Sequence, residues 1–108
     1  MKKLPRLSHL QFLVLGHLLA GPAAGREVRR RLQDFGIRKS GPAFYQLMVR
    51  MEDGGLVEGW YEQQIVDSQI IRERHYRVLG TGRKAWEHSR AFYRQAIGEF
   101  ETQGVAHG

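Results

Sequence analysis

There is no cysteine in this 108-residue chain, so neither disulfides nor thiolate metal sites can hold it together. That fits a reducing compartment. There is no long apolar run either. The stretch from Phe12 to Ala20 is broken by Gly16 and His17 and is far too short to span a bilayer. The start Met1-Lys2-Lys3 has the charge of an export signal. Its apolar stretch, however, comes late and runs into Arg26–Arg31 rather than a cleavage site, so a cytoplasmic chain without a membrane partner is expected.

Chemistry-bearing spacings are missing as well. His9, His17, His75, His88 and His107 are scattered, with no H-E-x-x-H or paired-ligand arrangement, so no metal site is expected. Carboxylates mostly lie beside bases, and nothing assembles a nucleophile, a base and an orienting group. No enzyme and no cofactor is expected. The segment V-L-G-T-G-R-K-A, with Gly80, Gly82 and Ala85, mimics a dinucleotide loop. A Rossmann unit needs another parallel strand and an acidic residue about twenty positions on, and too little chain remains for that strand. These glycines read instead as the release of a strand into the last helix. There is no internal repeat or low-complexity segment.

What is present is basic charge, unevenly placed. Of the net +6, residues 1–40 carry nine Lys or Arg against Glu27 and Asp34, a balance of +7. The remainder holds eight bases and nine acids, a balance of −1. Basic charge gathered in one segment is what a polyphosphate selects, through counterion release. No single helix is basic and amphipathic enough to favour a membrane surface instead.

The order of elements narrows the reading. Ser8 opens a first helix running to about Ala20, closed by Gly21-Pro22. Leu10, Leu13, Val14, His17 and Leu18 form one face of it; Phe12, Leu15 and Leu19 form a second. A helix apolar on two sides needs two covers, either a second subunit or a later helix of the same chain. Residues 24–35 make a second helix with Val28, Leu32 and Phe35 inward and Arg26, Arg29 and Arg30 outward.

The third helix, opening at Ser40, gathers Phe44, Leu47, Met48 and Met51 on one face at i, i+3, i+4 and i+7. Pro42, Tyr45, Gln46 and Val49 collect opposite, with Arg50 on the flank. Ser40 is the expected N-cap, Pro42 suits the first turn, and Gly54-Gly55 stops the helix. Residues 56–65 and 70–79 are β-branched and aromatic, with Asp67-Ser68 as the turn of a hairpin. From about Thr81 to Gln103 a last helix carries Ala85, Trp86, Ser89, Phe92, Tyr93, Ala96, Ile97 and Phe100 on one broad stripe, and residues 104–108 should fray. The expected fold is mainly α with a small β-hairpin. Three helices then a hairpin is the winged helix-turn-helix order, with the third helix as reader and the hairpin as wing. The division expected is a winged-helix unit over 1–80, then a dimerisation helix and tail over 81–108.

In register, Ser40, Pro42, Tyr45, Leu47, Met48, Met51, Glu52, Gly55, Leu56 and Val57 are similar to the third-helix pattern of the PadR-like bacterial transcriptional regulators. Gly25, Glu27 and Val28 resemble that family's second-helix start, Arg74, Tyr76 and Val78 its return strand, and residues 82–86 the start of its last helix. The likeness covers roughly residues 8–95. The chain departs from the pattern in three places. Leu79 stands where a Thr cap is usual, which moves the expected cap to Thr81. Ile65, Val66, Ile70 and Ile71 stand near the wing tip, where Gly, Pro and basic residues are expected. The last part is short, as in the compact members with one C-terminal helix.

The resemblance and the residues together imply a dimeric repressor that binds double-stranded DNA at an inverted repeat. Gln46 would read a base, since its amide pairs bidentately with adenine. Lys39, Ser40, Tyr45 and Arg50 would position the protein on phosphates, with Arg72 and Arg74 on the wing as further contacts. Phe12, Leu15 and Leu19 with Trp86, Ser89, Phe92, Tyr93 and Ala96 would form the homodimer interface. Family members commonly sense small aromatic or amphipathic compounds, so the interface holds either a planar aromatic effector on Trp86 and Tyr93 or a dry packed seam. The competing class is a winged-helix protein-interaction module, favoured by the apolar wing tip.

Overall fold

A computed structural model describes residues 4–107, with side-chain surroundings for 4–104. Lys2 and Lys3, counted above in the basic segment, lie outside the described residues. The elements are α1 (His9–Leu18), β1 (Ala23–Ala24), α2 (Gly25–Asp34), α3 (Gly41–Asp53), β2 (Val57–Val66), β3 (Gln69–Val78) and α4 (Gly80–His107). The order is that of a winged helix followed by one long C-terminal helix.

Local chemistry sets most of the boundaries. At α1 the Ser8 hydroxyl accepts from the Gln11 N–H at 3.1 Å, and the Gln11 side chain accepts from the Ser8 N–H at 2.9 Å. This reciprocal cap satisfies two donors that a helix start leaves free. At α3 the Ser40 hydroxyl accepts from the Ala43 N–H at 3.2 Å, and Pro42 occupies the first turn. Gly55, at φ 72°, takes the left-handed position just beyond α3 that favours glycine. The hairpin turns through Asp67 and Ser68 at φ 51° and 64°. Two left-handed residues match the twist of the flanking strands.

The three-stranded antiparallel sheet has the order β1-β3-β2. β2 and β3 pair over ten residues from Val57↔Val78 to Val66↔Gln69. β1, which sequence reading did not foresee, adds Ala23↔Tyr76 and Ala24↔His75. A single core gathers Val14, Leu15 and Leu18 of α1, Val28 and Leu32 of α2, and Phe44, Met48 and Met51 of α3. Leu56, Val57, Tyr76 and Ala85 close it, so the first turns of α4 share the core of the elements before it. The radius of gyration is 16.9 Å, against about 13 Å for a compact chain of this length. The excess fits the lengths of α4 and the hairpin.

Several expectations need correction. Leu15, assigned to the subunit interface, is fully buried in the chain's own core. Phe12 stacks on Trp86 of the same chain, centroids 5.3 Å apart and planes 8° apart, so α4 provides the second cover of α1. Phe35 does not point inward: α2 ends at Asp34, and Phe35 is 64% exposed at the C-cap. α4 begins at Gly80, where the Leu79 carbonyl accepts from the Arg83 N–H, so Thr81 is not the cap. The tail expected to fray from Gly104 is helical to His107, and Gly108 lies outside the described residues.

Gly82 has a packing reason. A Cβ there would overlap the Leu56 carbonyl oxygen, which is already pinned by the Leu79 N–H at 2.9 Å. Gly80, two residues earlier, faces open space. We expect Gly82→Ala to lower unfolding free energy by about 1–3 kcal/mol, as overpacking against backbone does. Gly80→Ala should be neutral or stabilising by up to about 1 kcal/mol. Urea titration of both variants checks this, and equal midpoints would remove the close-approach role of Gly82.

Candidate nucleic-acid interface

The inner and outer faces of α3 divide as the spacing predicts. Phe44, Met48 and Met51 are buried and Leu47 packs against them, while Tyr45, Gln46 and Arg50 are exposed. Ser40 spends its oxygen as acceptor for the helix cap, which leaves its hydroxyl hydrogen free to donate outward. Lys39 is half-buried, and its carbonyl accepts from Arg29 Nε–H at 2.9 Å. This bond ties α2 to the start of α3.

Arg29 is a functional candidate absent from the sequence-derived set. Its guanidinium lies beside Gly41 at the N-terminal end of α3. Arg26, Arg29 and Arg74 line a groove of about 280 Å³ together with Tyr45 and Tyr76. Glu73 lines the same groove and pairs with Arg26, so Arg29, beside the N-terminus of α3, is the base there without a carboxylate partner among the described residues and the one most favourable for an anion. The outward spacing of Arg26 and Arg29 was visible in the sequence; their closeness to α3 was not, because it depends on the turn between two helices.

The wing bases fare differently from one another. Arg74 donates to the Glu52 carboxylate at 2.7 Å, so it ties β3 to α3 rather than standing free for a phosphate. Burial acts to lower its pKa, but the hydrogen bond and charge of Glu52 outweigh this and raise it above the usual guanidinium value. The pair passes over Gly59, where a Cβ would overlap the Glu52 carboxylate. Arg77 pairs with Glu58 and Arg26 with Glu73. Arg72 has no carboxylate partner among the described residues and lies over the Tyr61 ring, 4.3 Å from its centroid. It is the wing base most available for a ligand.

The proposed subunit interface divides too. Phe12 and Trp86 are occupied with each other, and Tyr93 meets Phe12 edge-on at 5.4 Å. Leu19, Ser89 and Ala96 are half-buried. Phe92 and Phe100, 63% and 68% exposed, continue with Tyr93 and Ile97 as an uncovered apolar stripe along the second half of α4. Trp86 also faces a cavity of about 220 Å³ within one chain, walled by Phe12, Leu13, His17, Arg31 and Phe35 among others. There the His17 Nε2 and Trp86 Nε1 atoms are buried without partners. Burial, then the charge of Arg31, holds His17 below the ordinary imidazole range, with Glu27 opposing. The partly open cleft beside Trp86 therefore lies between α1, α2 and α4, whereas the sequence suggested a seam between subunits. Among the described residues no group of three or more His, Cys, Asp or Glu could hold a metal, and no helix is long and apolar enough to cross a membrane.

No protein-family model and no curated protein matches this sequence. Solved structures do. A PadR family transcriptional regulator from Eggerthella lenta DSM 2243 is 26% identical, with 87% of this chain and 80% of that one covered, at TM-score 0.65. A PadR family transcription regulator from hypervirulent Clostridium difficile R20291 is 17% identical, with 91% and 99% covered, at TM-score 0.73. Bacillus subtilis PadR in complex with operator DNA is 15% identical over 75% of this chain and 46% of that one, at TM-score 0.61. The first two of these neighbours are transcriptional regulators, and the third is held on its operator.

The bare stripe on α4 generates a prediction. Ile97→Asp and Phe100→Asp alter side chains exposed in the single chain, so each variant should keep its fold. In a dimer seam the same charges would be buried without partners, at a cost of several kcal/mol. Light scattering at micromolar concentration should report two-chain mass for the wild type and one-chain mass for the variants. A wild type of one-chain mass would contradict this use of the stripe.

Proposed function

We propose that this chain, which is PadR-like in family and fold, is a dimeric, sequence-specific DNA-binding repressor of transcription. The observation that carries the reading is the outer face of α3. Tyr45, Gln46 and Arg50 stand exposed on a helix whose other face is locked into the core, and Arg29 lies beside its N-terminal end. A helix so held can enter a major groove without losing its own packing. Gln46 reads an adenine edge through both amide atoms. Lys39, Ser40, Tyr45 and Arg50 hold phosphates, with Arg29 and Arg72 added from α2 and the wing. Arg74 serves by fixing the hairpin. The operator-bound state of the Bacillus subtilis relative supports DNA as the partner.

Dimerisation through the α4 stripe places two reading helices on one inverted repeat, and occupancy of a promoter represses it. An effector, where one acts, is a small planar aromatic compound received beside Trp86. It works as an inducer only by favouring a subunit arrangement that misfits the operator. The competing reading, a protein-interaction module, draws on the exposed wing tip but leaves the exposed Gln46 and Arg50 of α3 without a role.

A duplex selected by the wild-type protein from a random-sequence pool tests the reading. Arg50→Ala and Lys39→Ala should weaken binding to every sequence, and each should flatten the salt dependence by about one unit. Gln46→Ala should relax preference at one base pair, at a cost of about 1–3 kcal/mol on the selected site. Three variants that all bind like the wild type would mean that α3 is not the reader.

A further inference from the structure

The wing ends in side chains that neither the fold nor the reading helix uses. Ile65 and Ile70 are directly paired across the hairpin and are 79% and 72% exposed. Val66 is exposed beside them and Ile71 half-buried, so the tip is apolar on both faces. An uncovered apolar end on a hairpin is a liability for aggregation unless something receives it. Nothing among the described residues of this chain does.

We propose that the tip is a wedge that enters the minor groove beside the major groove occupied by α3 and parts a base step there. The proposal rests on the DNA-binding reading above and specifies what the wing does in it. Reach is the first argument. The hairpin is held to α3 at Gly59, where the Glu52–Arg74 pair crosses it. From there β2 runs seven residues to Val66, roughly 23 Å at strand rise. The neighbouring minor groove lies about half a helical turn, roughly 17 Å, along the duplex. The hairpin is therefore long enough to span that distance.

Charge placement is the second. On the face carrying Ile65 and Ile70, the next pair back is Gln63↔Arg72, with Tyr61↔Arg74 behind it. Arg72 lies over the Tyr61 ring, which holds its guanidinium against the strand. Minor-groove proteins commonly combine an apolar wedge that unstacks a base step with basic side chains that contact the same groove. Stiffness is the third. Ten cross-strand pairs and a two-residue turn without glycine leave the tip little freedom to fold aside. Asp67 places one negative charge on the turn, the single feature of the tip that opposes DNA.

The test uses the selected duplex, labelled at its two ends for energy transfer, with the full-length protein. Wild-type binding should shorten the end-to-end distance, as a kink of roughly 20–90° requires. The double variant Ile65→Ser/Ile70→Ser, altered only at exposed positions, should bind about tenfold more weakly and leave the duplex straight. Asp67→Asn should bind more tightly than the wild type. A wild type that binds without bending, or a double variant that bends DNA as fully as the wild type, would overturn the wedge and leave the DNA-binding reading standing. Unchanged affinity for Asp67→Asn would place the tip away from the duplex and also count against the wedge. Failure of the wild type to select any duplex would overturn both.

Discussion

The buried face of α3 is the constraint on which the other features depend. Phe44, Met48 and Met51 are withdrawn from water between α1, α2 and the sheet, each worth about 2–3 kcal/mol by transfer. Their burial fixes the rotation of the helix about its axis, and with it the direction in which Tyr45, Gln46 and Arg50 point. The Glu52–Arg74 pair lies at the end of the same helix and extends that control to the hairpin. Half-buried ion pairs add little to stability. This one works by position, and Gly59 is the residue whose missing side chain lets it form.

Among the described residues the α4 stripe and the wing tip stay apolar and exposed after the core is complete, and they call for different partners. The stripe on α4 is long, helical and built from large side chains at helix spacing, which suits a second copy of the same helix. The wing tip is small, narrow and backed by arginine, which suits a groove lined by phosphate. In the proposed reading the first would set the distance between two subunits and the second would add to the hold of each on the duplex. The cavity beside Trp86 sits where α1, α2 and α4 meet. A molecule there would touch the helix that carries the stripe and the helix that supports the reader.

Much of this was legible in the residues. Ser40, Pro42 and Gly54-Gly55 marked the ends of α3, and the i, i+3, i+4, i+7 spacing identified its inner face. Asp67-Ser68 marked the hairpin turn, although both strands lie one residue from where they were drawn. Other features were hidden for physical reasons. β1 is two alanines, which carry no strand signal, and it exists because Tyr76 and His75 offer it an edge. Leu15 was placed on a second face of α1. It lies roughly 60° around the helix from Leu18, close enough to share one wide buried arc. Phe35 fits the inward period of α2, but the helix stops one residue before it. The roles of Arg29 and Arg74 depend on contacts across ten and twenty-two residues. Spacing alone does not encode such contacts.

The central claim is that two copies of α3, set apart by the α4 stripe, read one duplex. Hydroxyl-radical footprinting on a duplex selected by the protein tests it most directly. The account predicts two protected patches related by a twofold axis, their centres one helical turn of roughly 34 Å apart or a multiple of that. A single patch without symmetry, or uniform protection at every sequence, would contradict it.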